Sequence, residues 1–273
     1  MRQRCVNPAF MILILRDNQD DSPQLAEQCF VIVCCAVKGK WMQATPAQRD
    51  QLVEKLQTSS FLRGLDPEVL AQMARSAVWR AYAPGAVIFL EGDAAPALYY
   101  VDTGWVKVVK MSPEGREQVL QVFGPGEIFS GMGVFVDRPA PATAIALEQT
   151  RIWLLQRDAV RRMLAANPAL AVQVIEFMAD RLTELVTLVA DLSLHTVTER
   201  LARLLLEEAE DDVVYRRRWA TQAEMAARLG AVPDVLNRAL RALVEEELIE
   251  LDRQQIRILD RQGLAAKTTL TRQ

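Results

Sequence analysis

The chain has 273 residues, 51% of them apolar and 25% charged, with a formal net charge of −3. That length accommodates two domains of ordinary size, and the composition excludes a disordered or fibrous chain. A generally basic surface is excluded as well, so any contact with nucleic acid has to come from a local patch.

The first forty residues stand apart. Two short apolar runs, residues 9–15 and 29–37, flank a polar stretch, residues 16–27. Each falls far below the roughly 18–20 residues that a membrane span needs. Arg2 and Arg4 precede the first run as in a signal-peptide n-region, but the run is short and no A-x-A site follows it. Residues 1–41 are therefore expected to be an upstream extension or a loosely ordered tail. All four cysteines, Cys5, Cys29, Cys34 and Cys35, lie in this part. The remainder is expected to fold without disulfides, as suits a reducing cytoplasm.

Residues 42–61 predict a helix with Leu52, Val53, Leu56 and Phe61 on one side and Arg49, Asp50, Glu54 and Lys55 on the other. Asp66-Pro67-Glu68 combines an N-cap, a proline at the first helical position and a first-turn acid, and opens a second helix to about Ser76. From residue 78 to 155 the texture changes to strand formers interrupted by turn residues. The predicted strands are residues 87–90, 98–101, 105–110, 118–123 and 150–155, with turns at Gly92, Gly104, Pro113 and Pro125. Many short strands with regularly spaced turns predict a jelly-roll-like antiparallel body.

A long helix follows. Pro168 suits its first turn, and Ala171, Ile175, Met178, Leu182, Leu185, Val189 and Leu192 recur at alternating spacings of 4 and 3. So narrow a seam buries best against a second copy of itself, which predicts a parallel homodimer. After Leu194 the phase shifts. Thr198-Glu199-Arg200-Leu201 starts a new helix with Leu201, Leu204 and Leu205 inward, and the acidic run 207–212 reads as solvated loop. His195, the single histidine, falls between the two helices and reads as a polar hinge residue; metal sites and triads built on histidine lack partners here.

Thr221-Gln222-Ala223-Glu224 has the form of a capping box. The helix it opens stops at Gly230, and Pro233 opens another through about Glu247. Helix, glycine turn and second helix form a helix-turn-helix, held together by Leu229, Val235, Leu236, Leu240 and Leu243. Between residues 216 and 241, six arginines stand against two acids, leaving a local +4 between acidic flanks. Asp234, Asn237, Arg238 and Arg241 share one face of the second helix. Arg238 suits the O6 and N7 edge of guanine, and Asn237 suits an adenine or a phosphate. Arg216, Arg217 and Arg218 suit phosphates, and Thr221 and Gln222 complete the candidate DNA-binding set. Residues 248–252 and 255–259 predict a two-stranded wing.

Taken together these segments resemble the Crp/Fnr family of bacterial regulators. The resemblance is carried by Tyr99-Tyr100-Val101-Asp102-Thr103-Gly104-Trp105-Val106-Lys107-Val108, Gly124-Pro125-Gly126-Glu127-Ile128-Phe129, Pro139-Ala140-Pro141-Ala142-Thr143-Ala144 and the helix-turn-helix with its wing. It covers residues 61–264 approximately. It implies an α+β architecture: a jelly-roll-like β-roll of the cyclic-nucleotide-binding type (residues 42–165), a dimerisation helix (166–194) and a winged helix-turn-helix (195–264), with a tail (265–273). It further implies a homodimer on a palindromic operator in double-stranded DNA, with RNA polymerase as a protein partner. The effector pocket would comprise Gly126, Glu127, Ser130, Gly131, Arg138, Pro141, Ala142 and Thr143.

Three departures from the family pattern qualify the resemblance. Members that bind cyclic AMP carry a glutamate and an Arg-Ser pair where this chain has Gly131, Pro141 and Ala142, and a buried cyclic phosphate needs a cation and donors. Cyclic AMP is therefore not expected, and residues 139–144 look more like the redox- and nitric-oxide-responsive branch. Cys29, Cys34 and Cys35 lack the spacing of the iron–sulfur members, so no cluster is expected. Haem stays open, with His195 as the one histidine. On the recognition helix Asp234 and Asn237 replace the glutamate and serine of the common pattern, which affects the operator sequence. No phosphate-loop, nucleophile-elbow or metal-ligand motif is present, so an enzyme is not expected. The competing expectation is a sensor or protein-interaction module without specific DNA binding.

Overall fold

The computed structural model describes residues 42–268, except residues 60, 61, 63, 64, 95, 96, 130, 131, 137, 216, 218 and 253. The cysteines, the two N-terminal apolar runs, Phe61, Ser130, Gly131, Arg216 and Arg218 lie outside the described residues.

Met42 does not open a helix. Strand β1, Met42–Gln43, pairs antiparallel with β2, Val78–Tyr82, placing Met42 opposite Trp79. The helix begins at Pro46, because Thr45 and Gln48 form a reciprocal capping box and proline suits the first helical position. Helix α1, Pro46–Thr58, buries Leu52 and Leu56. Helix α2, Pro67–Arg75, starts as expected: the Asp66 side chain accepts a hydrogen bond from the Glu68 amide at 2.9 Å.

The strands are β3 Val87–Phe89, β4 Ala97–Thr103, β5 Val106–Met111, β6 Glu117–Phe123, β7 Ile128–Phe129, β8 Thr143–Ala146 and β9 Thr150–Gln156. They form a five-stranded sheet, β1-β2-β9-β4-β7, and a four-stranded sheet, β3-β8-β5-β6. Every pairing is antiparallel, as the short, turn-separated strands predict. Strand β8 was not anticipated. Its Ala144 and Ala146 are fully buried, and alanine carries little strand signal in a sequence.

Strand β4 is covered on both sides, so period 2 sorts its residues between two cores. Leu98 and Tyr100 join Leu52, Leu56, Leu70 and Met73 under the helices. Tyr99 faces the other way, its ring centroid 5.2 Å from Phe89 and 5.3 Å from Phe129. Asp102, on the same strand, has its carboxylate buried between Lys55 of α1 and Arg151 of β9, tying the first helix to the sheet.

A short helix, α3 Met132–Phe135, precedes β8, and α4, Arg157–Ala166, follows β9. Helix α5, Pro168–Leu194, runs for 27 residues with Pro168 at its first turn. Its outward face holds most of the heptad seam and extends beyond it. Val172, Ile175, Leu182, Val186 and Val189 are 54–67% exposed, and Met178 is half-buried against the sensor core. Leu185 and Leu192 are exposed as well, so the outward apolar positions include 172, 175, 182, 185, 186, 189 and 192. Within the heptad seam only Ala171 and Met178 are half-buried, while Leu185 also lines the cavity and Leu192 also reaches the turn at Gly230. Among the described residues no helix is long and apolar enough to cross a membrane.

His195 caps the C-terminus of α5, and its Nδ1 lies 3.4 Å from Glu199. Helix α6, Val197–Glu208, is capped by Thr196 with Glu199, not by Thr198, since the acid that closes the box must stand three residues after the cap. It buries Leu201 and Leu205, with Leu204 partly buried. The acidic run is not simply solvated loop. Glu207 and Glu208 close α6, Glu208 pairs with Arg228, and Asp211 and Asp212 take φ of 49° and 61° at the turn into β10, Val213–Tyr215. Asp212 also pairs with Arg261 at 2.7 Å. The wing strands, β11 Ile249–Leu251 and β12 Gln255–Ile258, pair antiparallel, and β10 makes them a three-stranded sheet. A final helix, α9 Arg261–Thr268, carries the C-terminal domain past residue 264, where the sequence reading ended it. Leu264 is fully buried among Leu201, Leu205 and Leu243.

Candidate nucleic-acid interface and effector site

Helix α7, Gln222–Arg228, and helix α8, Pro233–Glu245, are joined through Gly230, whose φ is +62°. A left-handed backbone at this turn is what an amino acid with a Cβ resists and glycine accepts. Leu229, Leu236, Leu240 and Leu243 are buried between the helices, with Val235 half-buried. The opposite face of α8 displays Asp234, Arg238 and Arg241 to solvent, with Asn237 half-buried beside them. Among the described residues neither Arg238 nor Arg241 takes an ion-pair partner, whereas Arg228, also counted in the basic patch, is held by Glu208. The free positive charge thus concentrates on α8. Gln222 is exposed at the first turn of α7.

Thr221 caps α7 by accepting a hydrogen bond from the Glu224 amide at 3.2 Å. The reciprocal half of the expected capping box is missing. The Glu224 carboxylate instead leaves its own helix and meets Lys107 Nζ of β5 at 2.8 Å, and Lys107 also holds Glu117 of β6 at 2.6 Å. Lys107 and Glu224 are 8% and 9% exposed, so a buried ion pair joins the helix-turn-helix to the sensor sheet. Burial lowers the Lys107 pKa, but the hydrogen bonds to Glu117 and Glu224 and their charges outweigh it, holding the ammonium above its ordinary range. Glu224 Oε1 is buried and bonded to nothing among the described residues, so the junction is incompletely satisfied.

Further contacts reinforce the docking. Ala227 of α7 packs with Val109 and Val119 of the sensor sheet. Trp105 lies 5.7 Å from Trp219, centroid to centroid, and the Arg217 guanidinium sits 4.2 Å above the Trp105 ring. Trp105 rests directly on Gly124, where a Cβ would meet its ring at 2.8 Å. Arg217, expected to serve a phosphate, is therefore stacked on the sensor domain. Sequence reasoning missed this junction because Lys107 and Glu224 lie 117 positions apart.

In the sensor domain a cavity of about 390 Å³ opens between the sheets and α5. Phe89, Phe123 and Phe129 line it from the strands, and Phe177, Leu182 and Leu185 from α5. Of the residues anticipated for an effector pocket, Pro141 and Ala142 line it. Of the other described ones, Gly126, Glu127, Arg138 and Thr143, none lines it. Gly126 and Glu127 form the β6–β7 turn, where the Glu127 carboxylate accepts the Gly124 amide at 2.5 Å. Thr143 Oγ1 accepts the Glu91 amide at 3.0 Å, and Arg138 is exposed. Among the described residues lining the cavity none offers an imidazole or thiolate, Met178 brings a thioether, and His195 sits at the distal end of α5.

Residues 79–167 match the cyclic nucleotide-binding domain family, and residues 199–267 match the Crp-like helix-turn-helix domain family. The chain is 30% identical over 195 residues to the cyclic AMP receptor protein of Thermus thermophilus, covering 71% of this chain and 89% of that protein. The chain belongs to the Crp/Fnr family of DNA-binding transcription regulators. A second relative, the CRP-like cAMP-activated global transcriptional regulator of Mycobacterium tuberculosis, is 28% identical over 220 residues, covering 78% of this chain and 98% of that one. The solved structure of FixK2 from Bradyrhizobium japonicum shares the fold at a TM-score of 0.64 and 23% identity, covering 71% of this chain and 98% of the other. CooA from Carboxydothermus hydrogenoformans, solved as a mutant, does so at 0.63 and 19%, covering 80% and 95%. As a Crp/Fnr regulator the chain joins an effector-binding β-roll to a winged DNA-binding domain.

At Gly230 an added Cβ would fall 2.4 Å from Gln118 Oε1 and 2.6 Å from Leu192 Cδ2, so the turn itself touches the sensor strand and the end of α5. Those two side-chain tips can shift, while the positive φ cannot be relieved. Gly230→Ala is expected to cost about 1–2 kcal/mol in denaturant unfolding from backbone strain, and to shift tryptophan emission as the docking loosens.

Proposed function

We propose that this regulator acts as a cytoplasmic homodimer, not as an enzyme, and reads a palindromic operator with Arg238 while an effector in the β-roll controls its DNA affinity. The observation carrying this reading is the docking of α7 on the sensor sheet through Lys107 and Glu224. A reading head bonded to the sensor domain cannot be indifferent to what that domain binds. The exposed stripe of Val172, Ile175, Leu182, Val186 and Val189 supports dimerisation, since a contiguous apolar face of this length seeks a partner. Two recognition helices would then meet half-sites one helical turn apart, about 34–36 Å. Arg238 contributes base recognition, Asn237 and Asp234 modulate it, and Arg241, Arg216, Arg217, Arg218, Thr221 and Gln222 serve the DNA backbone. RNA polymerase is the protein partner on this reading.

The docked arrangement is read as the low-affinity state, because it keeps Arg217 on Trp105 and away from phosphate. Removing one partner of a buried ion pair destabilises the state that contains it by about 3–5 kcal/mol. Lys107→Met is therefore expected to raise operator affinity at least about tenfold without effector, up to the limit at which the docked state is no longer populated, with Glu224→Gln acting in the same direction. Mobility-shift titration and Trp105/Trp219 emission would read both; folded variants with unchanged affinity and emission would refute the control.

Arg238→Ala is expected to lose about 1–3 kcal/mol of discrimination between operator and unrelated sequence. Footprinting on genomic fragments tests it: a discrete protected site in the parent should vanish in the variant, and retained selectivity would overturn the assignment. A parent that protects no discrete site would favour a sensor module without specific DNA binding. Val186→Asp places a charge in the centre of the exposed stripe and is expected to yield monomers by analytical ultracentrifugation.

A further inference from the structure

We propose that the effector is an amphipathic organic acid, with an aromatic or branched apolar body in the β-roll cavity and a carboxylate on Arg181. This rests on reading the first domain as an effector sensor, and it names the chemical class that the site accepts. Among the described residues lining the cavity, Gln121 and Arg181 are the only polar ones. At about 390 Å³ the space falls within the range of small-molecule sites, roughly 300–1,000 Å³.

Arg181 is set in place before any ligand arrives. Its guanidinium lies 5.1 Å from the Phe123 ring centroid and 4.9 Å from that of Phe177. The charge is met by Glu184 one turn on, at 2.6 Å, and the Gln121 amide donates to the same carboxylate at 3.0 Å. An arginine held between aromatic faces and a glutamine amide already bind one carboxylate. The Glu184 side chain is 55% exposed, so a ligand carboxylate can replace it without leaving a buried charge alone. The rest of the wall is hydrocarbon, which suits an apolar body.

A cyclic nucleotide asks for more than Arg181 and Gln121 supply. It brings a phosphodiester, a hydroxyl and the polar edge of a base, and each needs a partner when removed from water. Pro141 has no amide hydrogen and Ala142 no hydroxyl, and Arg138 is exposed outside the cavity. Leu182 and Leu185 belong both to the cavity wall and to the exposed side of α5. A ligand packed on them bears directly on the helix that joins the sensor to the winged domain.

The test is calorimetric titration of the full chain, without DNA, using 4-phenylbutyrate, its alcohol 4-phenyl-1-butanol, and cyclic AMP. The acid is expected to bind at least about tenfold tighter than the alcohol, with cyclic AMP weaker than either. Arg181→Gln should bring the acid down to the level of the alcohol, and Arg181→Lys should keep part of the preference. Leu120→Trp should fill the cavity and remove binding of both, with a cooperative thermal transition retained. Tighter binding of cyclic AMP than of the acid, or an acid-to-alcohol ratio unchanged in folded Arg181→Gln, would overturn the proposal. Operator protection is measured separately. Its loss alongside intact acid selectivity would strike the regulator reading alone, and its presence without acid selectivity would strike the ligand class alone.

Discussion

One ammonium group, Lys107 Nζ, holds carboxylates from two domains at once, and the relation between those domains depends on it. Glu117 belongs to the same sheet, while Glu224 belongs to the first helix of the helix-turn-helix. In so buried a place a charge needs compensation on every side. The lysine has it from two partners, but Glu224 has one oxygen bonded and one orphaned. The junction is complete on the lysine's side and incomplete on the glutamate's. The surrounding contacts are cheaper to break: two tilted indoles, an arginine on an aromatic face and a small alanine patch.

Helix α5 imposes the second constraint. Its first turns bury Leu170 and Val174 in the sensor core, its middle walls the cavity, and its end touches the turn at Gly230. A separate stripe stays exposed along most of its length. Positions 171 and 178 of the seam are half-buried, and 175, 182, 185, 189 and 192 are exposed, with 172 and 186 beside them. The same rod thus connects the cavity, the interdomain turn and the exposed apolar face.

The cavity and the recognition helix differ in how the sequence revealed them. The recognition face was legible because it is local: Asp234, Asn237, Arg238 and Arg241 lie three or four apart on one helix, and helical periodicity alone puts them together. The cavity was not legible, because its walls come from four strands, the loop before β8 and one helix, far apart in sequence. Only Pro141 and Ala142 were anticipated there, through the family resemblance. Arg181 carried a local signal, four residues after Phe177 and three before Glu184, but the leucine seam beside it drew the reading to the outer face.

The sequence by itself determined the order of elements, the β-roll texture, the long helix, the glycine turn and the basic face of α8, since each rests on short-range rules of capping, alternation and periodicity. Local capping logic even placed Glu224 correctly at the third position of its helix while misassigning its carboxylate. Where that carboxylate goes was decided by tertiary structure alone. A capping bond across three residues competes with a buried ammonium 117 positions away, and the charge-assisted contact in the low-dielectric junction is the stronger one. Folding brought that ammonium within reach, and no local pattern encodes its arrival.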